Sequence, residues 1–225
     1  MREFVAELGG LQLHMQAEES LFSPEGLDAG TRCMLEAAEL SAPLLDLGCG
    51  SGIVGIYAAK VLDEAEIYLC DISEQAVGCA RRNAAANGVD GVQCLCSDGL
   101  DALPPEIKFA CILSNPPYHA DFAVPKKFIA QSFRRLKVGG RLYMVTKRRD
   151  WDENRLKAVF GGVRVREQAG YFVFEAQKRS ELPPRKQKQA PALSKKLQKK
   201  YGTTIKDILE YRGNLQQQLD QISGA

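Results

Sequence analysis

A glycine-rich turn between a short apolar strand and a helix constrains the fold of this sequence more than any other feature. Leu44–Leu47 reads as a strand, and glycines follow at positions 48, 50 and 52. Helical spacing of apolar residues then runs from Ile53 to Leu62. Glycine permits a tight turn and close approach of a ligand to the backbone, and the first amides of a helix are donors for ligand atoms. The pattern predicts a strand–loop–helix ligand site.

The alternation of short strands and helices continues along the chain. Strands are predicted at 44–47, 67–70, 92–96, 109–114, 142–145, 163–166 and 171–175. Helices are predicted at 53–62, 73–87, 126–136 and 152–160, with Gly139-Gly140 as a turn. Such alternation predicts an α/β fold, a doubly wound sheet with helices on both faces. Ligands bind such sheets at the carboxyl ends of the strands, near the switch in strand order.

Three regions are expected from the pattern. Residues 1–40 form an N-terminal extension, with a hairpin around Gly9-Gly10 and a helix at 32–39. Residues 41–177 form the main domain. Residues 178–225 form a basic, flexible tail with a possible terminal helix at 203–222, because 181–200 is rich in Pro, Lys and Gln.

Charge is distributed unevenly along the sequence. Residues 178–225 contain eleven basic and four acidic residues, whereas the rest of the chain carries an excess of acidic ones. A basic tail suits either a tether for a polyanion or a solvated terminus. No apolar run is long enough to span a membrane, and the N-terminus has no secretory core. We therefore expect a cytoplasmic protein without membrane contact; the oligomeric state is left open.

The seven cysteines are expected to be buried thiols. Their number is odd, several lie inside apolar runs, and no Cys-x-x-Cys pair occurs. His14 and His119 are the only histidines. These observations predict neither a metal site nor disulfides.

Acidic residues narrow the choice of ligand at the glycine-rich loop. The segment from Gly50 to Gly55 matches the dinucleotide-binding pattern G-x-G-x-x-G, and Asp71 lies about where a ribose-binding acid is expected. Asp46, however, stands at the start of the loop, where a carboxylate would repel a pyrophosphate. A ligand with an ammonium or sulfonium group, such as S-adenosylmethionine, would instead be attracted there. Asp98 ends the third strand in the same way as Asp71 ends the second.

The Asp-x-Gly-x-Gly-x-Gly pattern resembles the first motif of class I methyltransferases of the small-domain (MTS) family. The resemblance implies a Rossmann-like, seven-stranded sheet and S-adenosyl-L-methionine as cofactor. It places Asp46 near the methionine moiety, Asp71 on the ribose hydroxyls and Asp98 on the adenine amino group. The residues it assigns to the cofactor site are Asp46, Gly48, Cys49, Gly50, Gly52, Asp71, Ile72, Asp98, Gly99 and Asn115.

Asn115-Pro116-Pro117-Tyr118 ends the fourth predicted strand, beside this site. The tetrad resembles that of amino-methylating class I enzymes, which act on exocyclic amines of bases or on a glutamine amide. Such a nitrogen is a poor nucleophile, and the Asn115 side-chain oxygen and Pro116 carbonyl are suited to accept its hydrogens. Asn115, Pro116 and Tyr118 are the candidate catalytic residues, with Tyr118 as a stacking face.

The acceptor is narrowed by His119, which follows the tetrad. Asn-Pro-Pro-aromatic-His resembles the bacterial rRNA guanine-N2 methyltransferases, in particular single-domain relatives of the small-subunit methyltransferase C group. In that group, the segment resembling Gly26–Thr31 helps to close the cofactor pocket. Pro117, Tyr118 and His119 are the candidate substrate contacts. The sequence departs from the group in having Tyr118, where Phe is more frequent, and in lacking a second methyltransferase-like domain, which leaves the rRNA position open.

Basic residues near the predicted active face favour RNA as the partner. The stretch 126–149 contains nine basic residues and no acidic one, which suits phosphate contacts or a solvated helix face. The leading hypothesis is an rRNA guanine-N2 methyltransferase. Protein glutamine, adenine-N6 and noncatalytic RNA-binding functions are the alternatives.

Overall fold

A computed structural model of the chain describes residues 2–17, 26–63, 66–117 and 122–182. Met1–Pro184 forms one compact unit; Arg185–Ala225 is assigned to a second unit, outside the described residues. The elements are β1 (Arg2–Leu8), β2 (Leu11–Ala17), α1 (Ala29–Ala37), β3 (Leu44–Leu47), α2 (Ile53–Leu62), β4 (Ile67–Asp71), α3 (Glu74–Ala86), β5 (Gln93–Cys96), β6 (Phe109–Ser114), α4 (Ala123–Arg135), β7 (Leu136–Thr146), α5 (Asp150–Phe160), β8 (Arg164–Gln168) and β9 (Tyr171–Gln177).

A seven-stranded sheet carries the domain, in the order β5-β4-β3-β6-β7-β9-β8. The strands from β3 to β7 are parallel, and β8 and β9 are antiparallel to their neighbours. The direction of winding reverses between β3 and β6, so the switch point lies where the carboxyl ends of these strands meet. The predicted doubly wound α/β fold is confirmed.

Alternation of side chains along β3 separates the two faces of the sheet. Leu44 packs with residues of α1, α2 and α3, whereas Leu45 and Leu47 pack with residues of α4 and α5. Asp46 shares the face of Leu44 and is 3% exposed. A carboxylate at a core position of a buried strand indicates function rather than packing.

The N-terminal hairpin docks on α3 through two buried asparagines. The Asn83 and Asn87 side chains accept hydrogen bonds from the Gln16 and His14 amides and donate to the carbonyls of the same two residues. These hydrogen bonds occupy backbone N–H and C=O groups on the free edge of β2, as a neighbouring strand would. Asn83 Nδ2 also donates to the Ser51 carbonyl at 2.9 Å, so the hairpin, α3 and the glycine-rich loop are joined at one side chain.

Two sequence predictions are wrong in position. Gly139-Gly140 lies inside β7 rather than in a turn, and β7 starts at Leu136. A Cβ at Gly140 would meet three carbonyl oxygens at 3.0 Å, so glycine is needed for close strand approach, beside a register shift in β6. Helix α1 begins at Ala29 instead of residue 32 because the Asp28 side chain caps it.

Lys178, predicted to open the flexible tail, is only 2% exposed. Its Nζ donates to the Leu136 carbonyl and pairs with Glu181, both at 2.9 Å. The predicted helix at 203–222 and the part of the basic tail that follows residue 182 lie outside the described residues. In the part of the chain that the structure describes, no helix is long and apolar enough to cross a membrane.

Candidate active site

A cavity of about 310 Å³ lies at the carboxyl ends of β3, β4, β5 and β6, a volume that suits a cofactor-sized ligand. Nine of the ten predicted cofactor residues line it: Asp46, Gly48, Cys49, Gly50, Asp71, Ile72, Asp98, Gly99 and Asn115. Gly52, the tenth, does not. Its φ is +86°, and an added Cβ would lie 2.8 Å from Ala80 Cβ, so its role is in packing α2 against α3.

Asp46 is a buried carboxylate at one end of the cavity. Its Oδ2 accepts a hydrogen bond from the Gly55 amide at 3.0 Å. Burial raises the pKa of Asp46 to about 7, and the negative charge of Asp71 adds to this, although the Gly55 hydrogen bond opposes it. A cationic ligand beside Asp46 would favour the ionised form. The site therefore fits an ammonium or sulfonium group, as the sequence predicts.

Asp71 fixes the glycine-rich loop from the end of β4. Its two carboxylate oxygens each accept one backbone amide, from Gly50 and from Ser73, both at 3.0 Å. Each oxygen can accept a second hydrogen bond. Apart from its two chain neighbours, no described residue has an atom within 4 Å of a Cβ built at Gly50, so the loop leaves room for a ligand beside this carboxylate.

Asp98 and Ile72 form the more exposed end of the cavity. Asp98 pairs with Lys127 at 2.7 Å, and Lys127 also pairs with Asp101. Ile72 is 70% exposed, which is unusual for a large apolar residue at a strand end and fits contact with the face of a heterocycle.

Asn115 is held at the edge of the cavity by residues from a distant part of the chain. Its Nδ2 donates to Asp28 Oδ2 at 3.0 Å and to Thr31 Oγ1 at 2.9 Å. A carboxylate only accepts hydrogen bonds, so the amide nitrogen must face Asp28. This contact fixes which side of the amide carries Oδ1. The Ser114 hydroxyl, which donates to the Leu47 carbonyl at 2.8 Å, anchors the end of β6 to β3.

Sequence reasoning missed Asp28 as a site residue. Besides Asn115, Asp28 accepts the Thr31 amide at 2.9 Å as the cap of α1 and the Tyr171 hydroxyl at 3.1 Å. Gly30 permits this arrangement, because a Cβ there would lie 2.6 Å from the Tyr171 ring. The stretch Gly26–Thr31 was expected to close the cofactor pocket, and Gly26, Asp28 and Thr31 do line the cavity. Its helix-capping pattern gives no sign of a contact 87 residues away.

The remaining predicted residues divide into two groups. Pro117 lines the main cavity, and Pro116 and Pro117 together border a small adjoining one with Phe122 and Arg148. Tyr118 and His119 lie outside the described residues, as do residues 18–25.

The predicted basic surface at 126–149 is only partly available for phosphate. Arg135 donates to the carbonyls of Leu103, Pro104 and Ile107, and Arg141 pairs with Glu39 and Glu175. These two arginines hold the fold together, because loop carbonyls and neighbouring acids occupy them.

The cysteines are free thiols, and six of the seven are buried. Burial raises the pKa of Cys70 and of Cys111 to about 12, so these thiols are unreactive near neutral pH. Within the described ranges, no group of three or more His, Cys, Asp or Glu side chains is arranged to hold a metal ion.

Comparison with known proteins identifies the family. The model of the methyltransferase small domain matches residues 12–175. This chain belongs to that family. It therefore carries a methyltransferase domain, its cofactor is S-adenosylmethionine, and the predicted enzyme class is confirmed.

Named relatives include two kinds of rRNA methyltransferase. The chain is 34% identical over 162 residues to ribosomal RNA large subunit methyltransferase G of Shewanella amazonensis, covering 68% of this chain and 42% of that protein. It is 31% identical over 163 residues to ribosomal RNA small subunit methyltransferase C of Pseudomonas entomophila, covering 69% and 48%. It is 30% identical over 169 residues to the uncharacterized protein YbxB of Bacillus subtilis, covering 72% and 84%.

A solved structure shows the same fold. The T. thermophilus 16S rRNA N2 methyltransferase RsmC, determined with AdoMet and guanosine, superposes with a TM-score of 0.73 at 28% identity. The match covers 79% of this chain and 50% of that one. The chain thus spans about half the length of these characterised relatives.

Proposed function

We propose that this protein is an S-adenosylmethionine-dependent N-methyltransferase that modifies an exocyclic amine of a nucleobase, namely guanine N2 in ribosomal RNA. The observation that carries the proposal is the orientation of Asn115 at the cavity edge. Its amide nitrogen is engaged by Asp28 and Thr31, which sets the amide oxygen in one direction as a hydrogen-bond acceptor.

An acceptor so placed suits the chemistry of an aromatic amine. The nitrogen lone pair is delocalised into the ring, and two acceptors that hold its two hydrogens favour a more tetrahedral nitrogen. The Asn115 Oδ1 and the Pro116 carbonyl would serve as these acceptors. Proline fixes the backbone dihedral at this point, and the Ser114 anchor holds the strand end. Both acceptors would therefore be preorganised, which is a large source of catalytic power.

The chain's own residues would hold the cofactor in the main cavity. The bound cofactor supplies an electrophilic methyl group on a sulfonium. Asp46 would face the cationic methionine end, Asp71 the ribose hydroxyls and Asp98 the adenine amino group, with Ile72 on the adenine face. Gly48, Cys49, Gly50 and Gly99 line the same cavity and would contact the cofactor through backbone atoms.

Ribosomal RNA is the proposed acceptor because of the relatives named above. Pro117, Tyr118 and His119 are proposed to contact the base, which would have to leave a helical stack to reach the cavity. The basic tail would add electrostatic attraction to RNA, and we place this activity in the cytoplasm.

Transfer of radiolabelled methyl groups tests the proposal. The purified protein is incubated with labelled S-adenosylmethionine in three separate reactions, which contain unmodified rRNA, DNA or a protein extract as the acceptor. The RNA is then digested and its nucleosides are separated. Label in N2-methylguanosine supports the proposal. Label in protein or in N6-methyladenosine would show that the acceptor is a protein or an adenine instead of guanine, and it would leave the cofactor assignment in place.

A further inference from the structure

A cluster of aromatic and basic side chains borders the Pro116-Pro117 turn. It forms at the end of β7, which lies beside β6 with Met144 in register with Ser114. Parallel neighbouring strands end on the same edge of the sheet. The loop that follows β7, with Lys147, Arg148 and Arg149, is therefore next to the loop that follows Asn115.

Phe122 contacts both Trp151 and Arg148 in this cluster, and we call these three side chains the stacking platform. The rings of Phe122 and Trp151 are 4.6 Å apart at an interplanar angle of 29°. The Arg148 guanidinium lies 5.3 Å from the centre of the Phe122 ring. Phe122 is 39% exposed. An exposed stack of flat side chains beside an active site is a surface on which another flat group can be added.

The basic side chains around this corner differ in whether an acid pairs with them. Arg149 is paired with Glu153 at 2.9 Å, and Lys127 is paired with Asp98 and Asp101. By contrast, no carboxylate among the described residues forms an ion pair with Lys147 or Arg148. Both side chains are exposed. The platform therefore combines stacking faces with a positive charge that forms no direct ion pair with a described acid, although the Arg148 guanidinium acts on the Asp152 carboxylate at longer range.

We propose that the stacking platform binds a nucleotide next to the target base in single-stranded RNA. The inference rests on the proposed function and adds the surface that holds the substrate strand. Single-stranded RNA is recognised by stacking of its bases on aromatic rings and arginine planes, with basic groups on the phosphates. The position beside Pro116 and Pro117 is where the strand would pass if its neighbouring base entered the main cavity.

Trp151 provides a direct test because it is the only tryptophan in the chain. Its intrinsic fluorescence is recorded while the unmutated protein is titrated with a mixed-sequence single-stranded RNA. A parallel titration uses inorganic polyphosphate, which carries charge but no bases. We expect saturable quenching by RNA and none by polyphosphate. RNA binding without any change in Trp151 fluorescence, or equal quenching by polyphosphate, would overturn the inference.

Substitutions separate stacking from charge. Phe122→Leu keeps an apolar side chain and should weaken RNA binding about fivefold or more, the lower range for one lost base stack. Arg148→Lys keeps the charge and loses the plane, so RNA binding should weaken while its salt dependence stays the same. Arg148→Gln should also lower the slope of log affinity against log salt by about one. Lys60→Gln, an exposed charge on α2, is the matched control and should leave RNA binding unchanged.

Binding and transfer are measured on the same preparations, with S-adenosylmethionine affinity and the unfolding midpoint as checks on folding. RNA affinity that is unchanged in Phe122→Leu and Arg148→Gln would overturn the proposed role of the stacking platform in RNA binding and leave the proposed function standing. Strong RNA binding through the platform without methyl transfer to RNA would overturn the proposed function alone.

Discussion

The contact between Asp28 and Asn115 predicts that Asn115→Asp is destabilising in a pH-dependent way. The substitution places a second carboxyl group at the position of an amide nitrogen that lies 3.0 Å from Asp28 Oδ2. Two full charges at that separation would repel by about 5 kcal/mol at an effective dielectric of about 20. Because Asp28 is only half-buried, solvent screening reduces this to roughly 2–3 kcal/mol.

The sign of the pH effect follows from proton linkage. Repulsion raises the pKa of the carboxyl pair in the folded state above its unfolded value of about 4. The unfolded state then loses protons first, so stability falls as pH rises from about 4 through the raised pKa. We expect Asn115→Asp to match Asn115→Ala within about 1 kcal/mol at pH 5, where the pair shares a proton. At pH 8 it should be less stable than Asn115→Ala by about 2 kcal/mol.

Urea unfolding of the two variants at several pH values measures the difference. Thermal unfolding measures the same difference, because a deficit of 2 kcal/mol in Asn115→Asp relative to Asn115→Ala corresponds to a thermal midpoint that is lower by roughly 4–8 °C in a domain of this size. The double variant Asp28→Asn with Asn115→Asp restores one amide and one carboxylate, and it should lose the pH dependence. Parallel stability curves for Asn115→Asp and Asn115→Ala from pH 5 to 8 would refute the reasoning, because the two side chains would then not be in contact.

Three further predictions concern ligand binding and catalysis. Asn115→Ala should lower kcat about 100-fold or more and change the S-adenosylhomocysteine Kd only a few-fold; a large loss of affinity would contradict its assigned role. Asp71→Asn turns an NH2 group toward the amide of Gly50 or Ser73, so calorimetry should show cofactor Kd raised about tenfold; unchanged affinity would remove Asp71 from the site. The pKa of Asp46 is raised to about 7, and its ionised form is the one proposed to face the cationic end of the cofactor. Cofactor affinity should therefore fall up to tenfold per pH unit below pH 7 and level off above it. Asp46→Asn should flatten this profile, and an equally steep profile in that variant would contradict the assignment of Asp46 to the cofactor site.

Local signals in the sequence were sufficient to predict that the glycine-rich loop and three acidic residues meet at one cavity. The sequence predicts a helix that begins at residue 73, and in the structure Ser73 caps α3 there, with its hydroxyl accepting the Ala76 amide. The glycine-rich loop and the acids at the ends of β3, β4 and β5 come together because parallel strands end on one edge of the sheet. This result needs only the order of strands and the spacing of the motifs, both of which are visible in the sequence.

Long-range contacts could not be predicted in the same way. Asp28 meets Asn115 across 87 positions and Tyr171 across 143, and neither pair has a spacing that marks it. Lys178 was assigned to the tail because its neighbours are basic, yet its Nζ is buried against the Leu136 carbonyl. In each case a polar side chain is satisfied by a partner that only the folded chain brings near. The assigned roles of Tyr118 and His119 stay predictions.

The most direct test of the account is the amount of N2-methylguanosine in rRNA from cells that lack this protein. Complementation with the unmutated chain should restore a missing N2-methylguanosine, and complementation with Asn115→Ala, at equal protein level, should not. A full complement of N2-methylguanosine in rRNA from the deficient cells, or its restoration by Asn115→Ala, would contradict the account.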